Sequence, residues 1–285
     1  MTTWFRSRRM AAATAVIVLA AVLVGAPPAQ AAIPGLTMVS ANSGESSAAV
    51  KWATVICPSG KKVIGSGWSL GGVPGGEVHV AEVRLTDNSV RVVAYEAVTG
   101  FTGDWYVRTE AVCATAPPGW ELVVVSGDAS STGWRVEEAA CPAGKQLLGG
   151  GAEISGGGGE VLLTSVIPAS GAILASADEN RWGTTTIWSL TVYAVCAEPL
   201  PGHEIVSEQT TSTSADKQLT TACPAGKRVL SGGASLYPDY GAVSIHHVRP
   251  GSYQGSEFVA VRATEDDTGT SSSWLVHAFA VCVAA

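Results

Sequence analysis

Beyond Gly25 the chain has no apolar run long enough to span a bilayer, so nothing downstream of that point reads as a membrane-inserting segment. It has no Asn-x-Ser/Thr acceptor and no Cys placed for lipidation behind its N-terminal leader, which excludes N-linked glycan and a lipid anchor at that junction. Positive charge is scarce, with 17 Lys and Arg against 24 Asp and Glu. Three of those cations, Arg6, Arg8 and Arg9, stand before the apolar run Ala11 to Gly25 and the small residues Ala29-Gln30-Ala31, the layout of a secretory signal peptide over residues 1–31. Ser7-Arg8-Arg9 has the look of a twin-arginine signal, but Met10, Ala11 and Ala12 follow it where stronger apolar residues belong, which favours the general export route. Cleavage after Ala31 takes three of the 17 basic residues and leaves 14 against 24 acidic ones, about −10, a poor charge for nucleic acid or an anionic membrane as partner.

Helical periodicity is missing as well, and what stands in its place is repetition. A Cys-Pro-x-Gly-Lys turn occurs at Cys57–Lys61, Cys141–Lys145 and Cys223–Lys227, and a Trp stands eight residues before a second Cys at Trp105…Cys113, Trp188…Cys196 and Trp274…Cys282. Pro34-Gly35, Pro118-Gly119 and Pro201-Gly202 mark the boundaries, which divides the exported chain into residues 32–117, 118–200 and 201–285. Connections this short keep the units in contact.

All six cysteines lie in the exported part, where oxidation is their expected fate. A metal centre would need clustered ligands, whereas these are spread along the chain with no His at finger spacing. If each repeat is self-contained, the bridges are Cys57–Cys113, Cys141–Cys196 and Cys223–Cys282.

Within a repeat the apolar period is two. Trp105, Val107, Thr109, Ala111 and Cys113 share one parity, and the runs from Trp188 and from Trp274 match it, as half-buried strands do. Six strands fit each repeat. Gly67, Gly151 and Gly233 recur inside one of them, which signals a bulge or a close backbone approach. Trp68 stands where Ala152 and Ala234 stand in the other repeats, and reads as core filling. All three repeats carry the full pattern, whereas open solenoids have atypical ends, so a closed pseudo-threefold, β-prism-like arrangement of antiparallel repeats is expected. Three small β-sandwiches in a row are the alternative.

The Cys-Pro-Ala-Gly-Lys opening and the Ala-Val-Cys-Ala closing of Ala111–Ala114 and Ala194–Ala197 resemble a repeat of an uncharacterised family of secreted actinobacterial proteins, which implies secretion and β-structure. The Cys-Pro-x-Gly turn repeated three times is also similar to the vitelline membrane outer layer protein family, which implies a β-prism associated with glycan chemistry.

Chemistry-bearing motifs are few. Gly67-Trp68-Ser69-Leu70-Gly71 matches a nucleophile-elbow pattern, but its counterparts at Gly151 and Gly233 place it in mid-strand. His246 and His247 are strand neighbours and face opposite ways, so they share a metal only across a bulge. Glu265-Asp266-Asp267 and Asp178-Glu179-Asn180 match no calcium-loop spacing. Glu96, Glu179 and Glu265 each stand 17 residues before a closing Cys, and Lys61, Lys145 and Lys227 recur as strictly. A structural Glu–Lys pair or a carboxylate-held turn is one reading of these positions, and three equivalent binding sites are the other. The whole points to a non-catalytic secreted protein without cofactor or metal that binds a glycan or cell-wall polymer; the alternatives are a partner or inhibitor of a secreted enzyme, and a hydrolase with a single site between repeats.

Overall fold

The computed structural model describes residues 1–2, 33–72, 75–238 and 241–285. The apolar run and cleavage site of the expected signal peptide lie outside them. No helix among the described residues is long and apolar enough to cross a membrane.

The chain is all-β, with six strands per repeat. The first repeat holds β1 (Thr37–Asn42), β2 (Val50–Ile56), β3 (Lys62–Gly71), β4 (Val78–Leu85), β5 (Ser89–Glu96) and β6 (Tyr106–Ala114). The second holds β7 (Glu121–Ser126), β8 (Trp134–Ala140), β9 (Gln146–Gly156), β10 (Val161–Ala169), β11 (Ala172–Glu179) and β12 (Trp188–Ala197). The third holds β13 (Glu204–Gln209), β14 (Lys217–Ala222), β15 (Lys227–Tyr237), β16 (Val243–Tyr253), β17 (Ser256–Glu265) and β18 (Leu275–Ala284).

These strands form three six-stranded antiparallel sheets, ordered β1-β6-β3-β16-β17-β14, β2-β5-β4-β9-β12-β7 and β13-β18-β15-β10-β11-β8. No sheet belongs to one repeat. Each repeat gives three strands to one sheet and three to the next, and the ring closes where β3 of the first repeat meets β16 of the third. That is the pseudo-threefold arrangement, and it displaces the picture of three sandwiches in a row.

The disulfides are Cys57–Cys113, Cys141–Cys196 and Cys223–Cys282, with Cα separations of 5.7, 5.6 and 5.8 Å. The expected pairing forms, but its premise of self-contained repeats does not hold. Each bridge ties the residue after an edge strand (β2, β8 or β14) to a strand of a different sheet (β6, β12 or β18), so it pins one sheet to the next. Loops of this length contribute on the order of 4 kcal/mol each in the chain-entropy account. The turn that opens each bridge is closed by Lys61, Lys145 and Lys227 N–H donating to the carbonyls of Pro58, Pro142 and Pro224, with Gly60, Gly144 and Gly226 at φ +79°, +83° and +78°. A type II turn demands that conformation of its third residue, which explains the recurring glycine.

The repeated mid-strand glycines are where repeats touch. A Cβ on Gly67 would lie 2.5 Å from Pro250 Cδ, one on Gly151 2.2 Å from the Val83 carbonyl oxygen, and one on Gly233 2.4 Å from that of Val166. The neighbouring repeat's strand therefore crosses at backbone contact. Nearby, β3, β9 and β15 each bulge at Ile64, Leu148 and Leu230, and β4, β10 and β16 at Ala81, Thr164 and His246, all six buried. Bulges re-aim a side chain that regular pleating would leave alternating.

Gly151→Ala should therefore lower stability by roughly 2–3 kcal/mol. Gly144→Ala, which meets no atom within 4 Å, should lose only about 1 kcal/mol through its positive φ. Urea denaturation of the two variants compares them directly, and equal losses would contradict the close-crossing account.

Candidate functional site

Glu96, Glu179 and Glu265 are the last residues of β5, β11 and β17. In each, one carboxylate oxygen accepts the indole N–H of Trp105, Trp188 or Trp274, at 2.9, 3.1 and 2.7 Å. The other accepts the backbone N–H of Phe101, Thr184 or Thr270, at 3.2, 3.0 and 3.2 Å. A cation lies over each indole ring, Lys51 at 5.3 Å, Arg135 at 5.2 Å and Lys217 at 4.2 Å from the centroid. Burial pulls the Lys217 ammonium below its usual pKa, with Glu265 and Asp216 opposing. The repeated glutamate thus holds the loop to the next strand and satisfies a buried indole N–H that would otherwise be left unpaired. Two of the three repeated lysines pair elsewhere, Lys145 with Glu121 at 2.9 Å and Lys227 with Glu204 at 2.8 Å.

The other sequence candidates are dispersed. Ser69 lies in mid-strand β3, buried, with Arg108 and His247 as backbone neighbours. A bulge does separate His246 from His247, yet they diverge: His246 is buried beside the Thr264 hydroxyl at 2.9 Å, while a ring nitrogen of His247 lies 2.9 Å from the Leu70 carbonyl oxygen and donates to it. Asp266 binds Arg181 at 2.9 Å. Among the described residues no group of three His, Cys, Asp or Glu side chains is placed to hold a metal ion.

The three repeats converge at one end of the ring. Gly76 N–H of the first repeat donates to the Glu265 carbonyl of the third at 2.8 Å, while the bonds from Asn180 N–H to the Glu160 carbonyl at 2.8 Å and from Asp266 N–H to the Ala242 carbonyl at 2.9 Å close loops within the second and third repeats. Between these loops lies a small pocket of about 20 Å³ whose lining includes His79, Leu162 and Ser244, each the second residue of β4, β10 and β16. Ala97, Asn180 and Asp266, each the residue after a repeated glutamate, line it too, with Trp182 beside them.

Threefold-equivalent positions thus carry different chemistry here. His79 and Ser244 are both buried, and His79 Nε2 and Ser244 Oγ meet no hydrogen-bond partner. The other His79 nitrogen bonds the Gly159 backbone, while burial lowers the ring's pKa to about 4. His246 falls to about 3 through burial and the nearby His247, Arg262 and His79. Both rings are neutral at physiological pH. Ser244 and His79 make no hydrogen bond to one another.

Sequence reasoning passed over this pocket and the exposed tryptophans Trp52, Trp134 and Trp182. The signal was available: His79 and Ser244 fall where the second repeat has Leu162.

Compared with known proteins, the chain matches no family model and no curated protein.

Glu179→Gln should weaken the Trp188 clasp and lower stability in urea denaturation by about 1–2 kcal/mol. A pH series probes the buried rings. The unfolded chain takes up a proton near pH 6.5 while folded His79 does so only near 4, so stability falls as the pH drops through that window, by on the order of 3 kcal/mol from His79 alone. His79→Leu, which installs the second repeat's residue, should make the fall of the urea midpoint between pH 6.5 and 4 shallower while the His246 contribution remains; an unchanged slope would contradict the assignment.

Proposed function

We propose that this is a secreted, non-catalytic protein that binds a neutral glycan or cell-wall polymer through tryptophans displayed on a disulfide-stapled frame. The observation that carries the reading is the exposure of Trp52, Trp134 and Trp182, at 57%, 63% and 54%, in a protein that buries four other tryptophans almost completely. Strand β2 turns Val50, Trp52 and Ile56 outward, and β8 turns Trp134 and Val136 outward. Arg91 lies over the Trp52 ring at 5.9 Å and Arg181 over that of Trp182 at 5.8 Å, which steadies both rings.

Exposed aromatic groups of this kind mark binding surfaces. The apolar face of a sugar ring stacks on an indole, and hydroxyls meet the polar groups around it. Around Trp52 these are Ser43, Ser46 and Lys51, in a shallow cleft of about 250 Å³. Separate aromatic platforms on one frame suit a repeating polymer, since weak contacts made together gain avidity. Three disulfides fit an extracellular setting.

In sedimentation with insoluble neutral polysaccharides and peptidoglycan, the mature protein should pellet with at least one polymer. Trp52→Ala and Trp134→Ala should each weaken that binding about 5- to 10-fold, and the double variant should lose more than either. A folded protein that binds none of the polymers, but forms a one-to-one complex with a secreted hydrolase, would replace this reading with that of an inhibitor.

A further inference from the structure

We propose that the pocket where the three repeats converge is a seat for a single neutral hydroxyl group of a saccharide, held between His79 Nε2 and Ser244 Oγ with the sugar ring against Trp182. The inference rests on the glycan-binding reading and names the site within it.

Three observations carry it. First, the two polar atoms are buried and without partners, while their neighbours are committed. Asn180 Nδ2 donates to Glu160, and Asn180 Oδ1 accepts the Trp182 N–H at 3.0 Å. Asp266 Oδ1 accepts from Thr268 N–H at 3.0 Å and from the Thr268 hydroxyl at 2.8 Å, and its carboxylate binds Arg181. A buried donor or acceptor left unpaired is unfavourable, so a ligand that pairs both recovers that penalty in binding.

Second, the two atoms demand one kind of group. The His79 ring bonds the Gly159 backbone through its other nitrogen, which leaves Nε2 as an acceptor. The Ser244 hydroxyl donates or accepts. A hydroxyl gives its proton to Nε2 and receives one from Ser244 Oγ, satisfying both. A carboxylate offers no proton to Nε2, and an ammonium, which can only donate, leaves the Ser244 proton unpaired.

Third, size and surroundings fit. About 20 Å³ admits one water-sized group and no more. Trp182, in the same lining, is 54% exposed and offers an aromatic face next to the opening. Leu162, the third member of the ring, provides an apolar wall.

The test uses the oxidised mature protein and the polysaccharide it sediments with. Ser244→Ala and Trp182→Ala should each weaken binding roughly tenfold with the unfolding midpoint near that of the parent. On titration with the methyl glycoside of that polymer's sugar, the His79 Nε2 resonance in ¹⁵N spectra should move, and Ser244→Ala should abolish the movement. Binding that falls with Trp52→Ala and Trp134→Ala, but is unaffected by Ser244→Ala and Trp182→Ala and leaves His79 Nε2 unmoved, would overturn this inference and leave the glycan reading standing. No polysaccharide bound by the folded protein would overturn both. A retained loss of affinity on Ser244→Ala across pH 5.5–8, where His79 stays neutral, would further support the hydroxyl assignment; binding that appears only on acidification would speak for an anion and against it.

Discussion

The structure depends on one steric constraint, the backbone-to-backbone crossing at which each repeat lends three strands to its neighbour's sheet. Gly67, Gly151 and Gly233 keep that crossing open, because any side chain there would occupy the place of the adjoining strand. Next to it, Gly65, Gly149 and Ser231 take equivalent positions at the centre of the ring. A Cβ on Gly65 or Gly149 would lie 2.6 Å from the Ser231 Cβ, so the space admits one side chain among the three, and the third repeat supplies it. The Ser231 hydroxyl accepts from Ser66 N–H at 3.4 Å, and the Ser66 hydroxyl donates to the Gly150 carbonyl at 2.6 Å, so all three repeats are joined at this level.

Once the centre is fixed in this way, the periphery is stapled. Each disulfide joins two sheets, and each Trp clasp ties a strand end to the loop that leads into the next strand. Repetition is strict in these elements because they carry the architecture. It relaxes where they leave room. At the sheet junctions the facing pairs are Ser69 with His247, Glu153 with Glu82, and Ser235 with Ser165. Burial and the facing Glu153 raise the Glu82 pKa, against Arg91 and Arg84, while Tyr193 donates to Glu153 at 2.5 Å. At the convergent end the same relaxation produces His79, Leu162 and Ser244 from one position, which is how a repeated frame comes to hold one asymmetric pocket.

Much of this was legible in the sequence. Period-two alternation placed Trp105, Val107, Ala111 and Cys113 on one buried face, and the repeat paired the cysteines. The mid-strand glycines announced a bulge or a close approach, and it is the close approach that they make. Alternation says that a face is buried but not against which strand, so sheets shared between repeats and sheets within repeats gave the same pattern, and the cysteine pairing fits both. The glutamate's partner was hidden for a similar reason. Glu96 and Trp105 are nine residues apart with a loop between them, a distance at which no local periodicity brings two side chains together. His79 stood out only by comparison with Leu162 and Ser244, and His246 was read as one of a strand pair because the bulge that turns it inward has no signature in composition.

The measurement that bears most directly on the shared-sheet architecture is hydrogen exchange, read by mass spectrometry, on the oxidised protein across a urea series. Because every sheet needs strands from two repeats, peptides from β6, β12 and β18 should lose protection at one common urea concentration, together with the far-ultraviolet circular dichroism signal. A repeat that opens at lower urea while the other two keep their protected strands would contradict it.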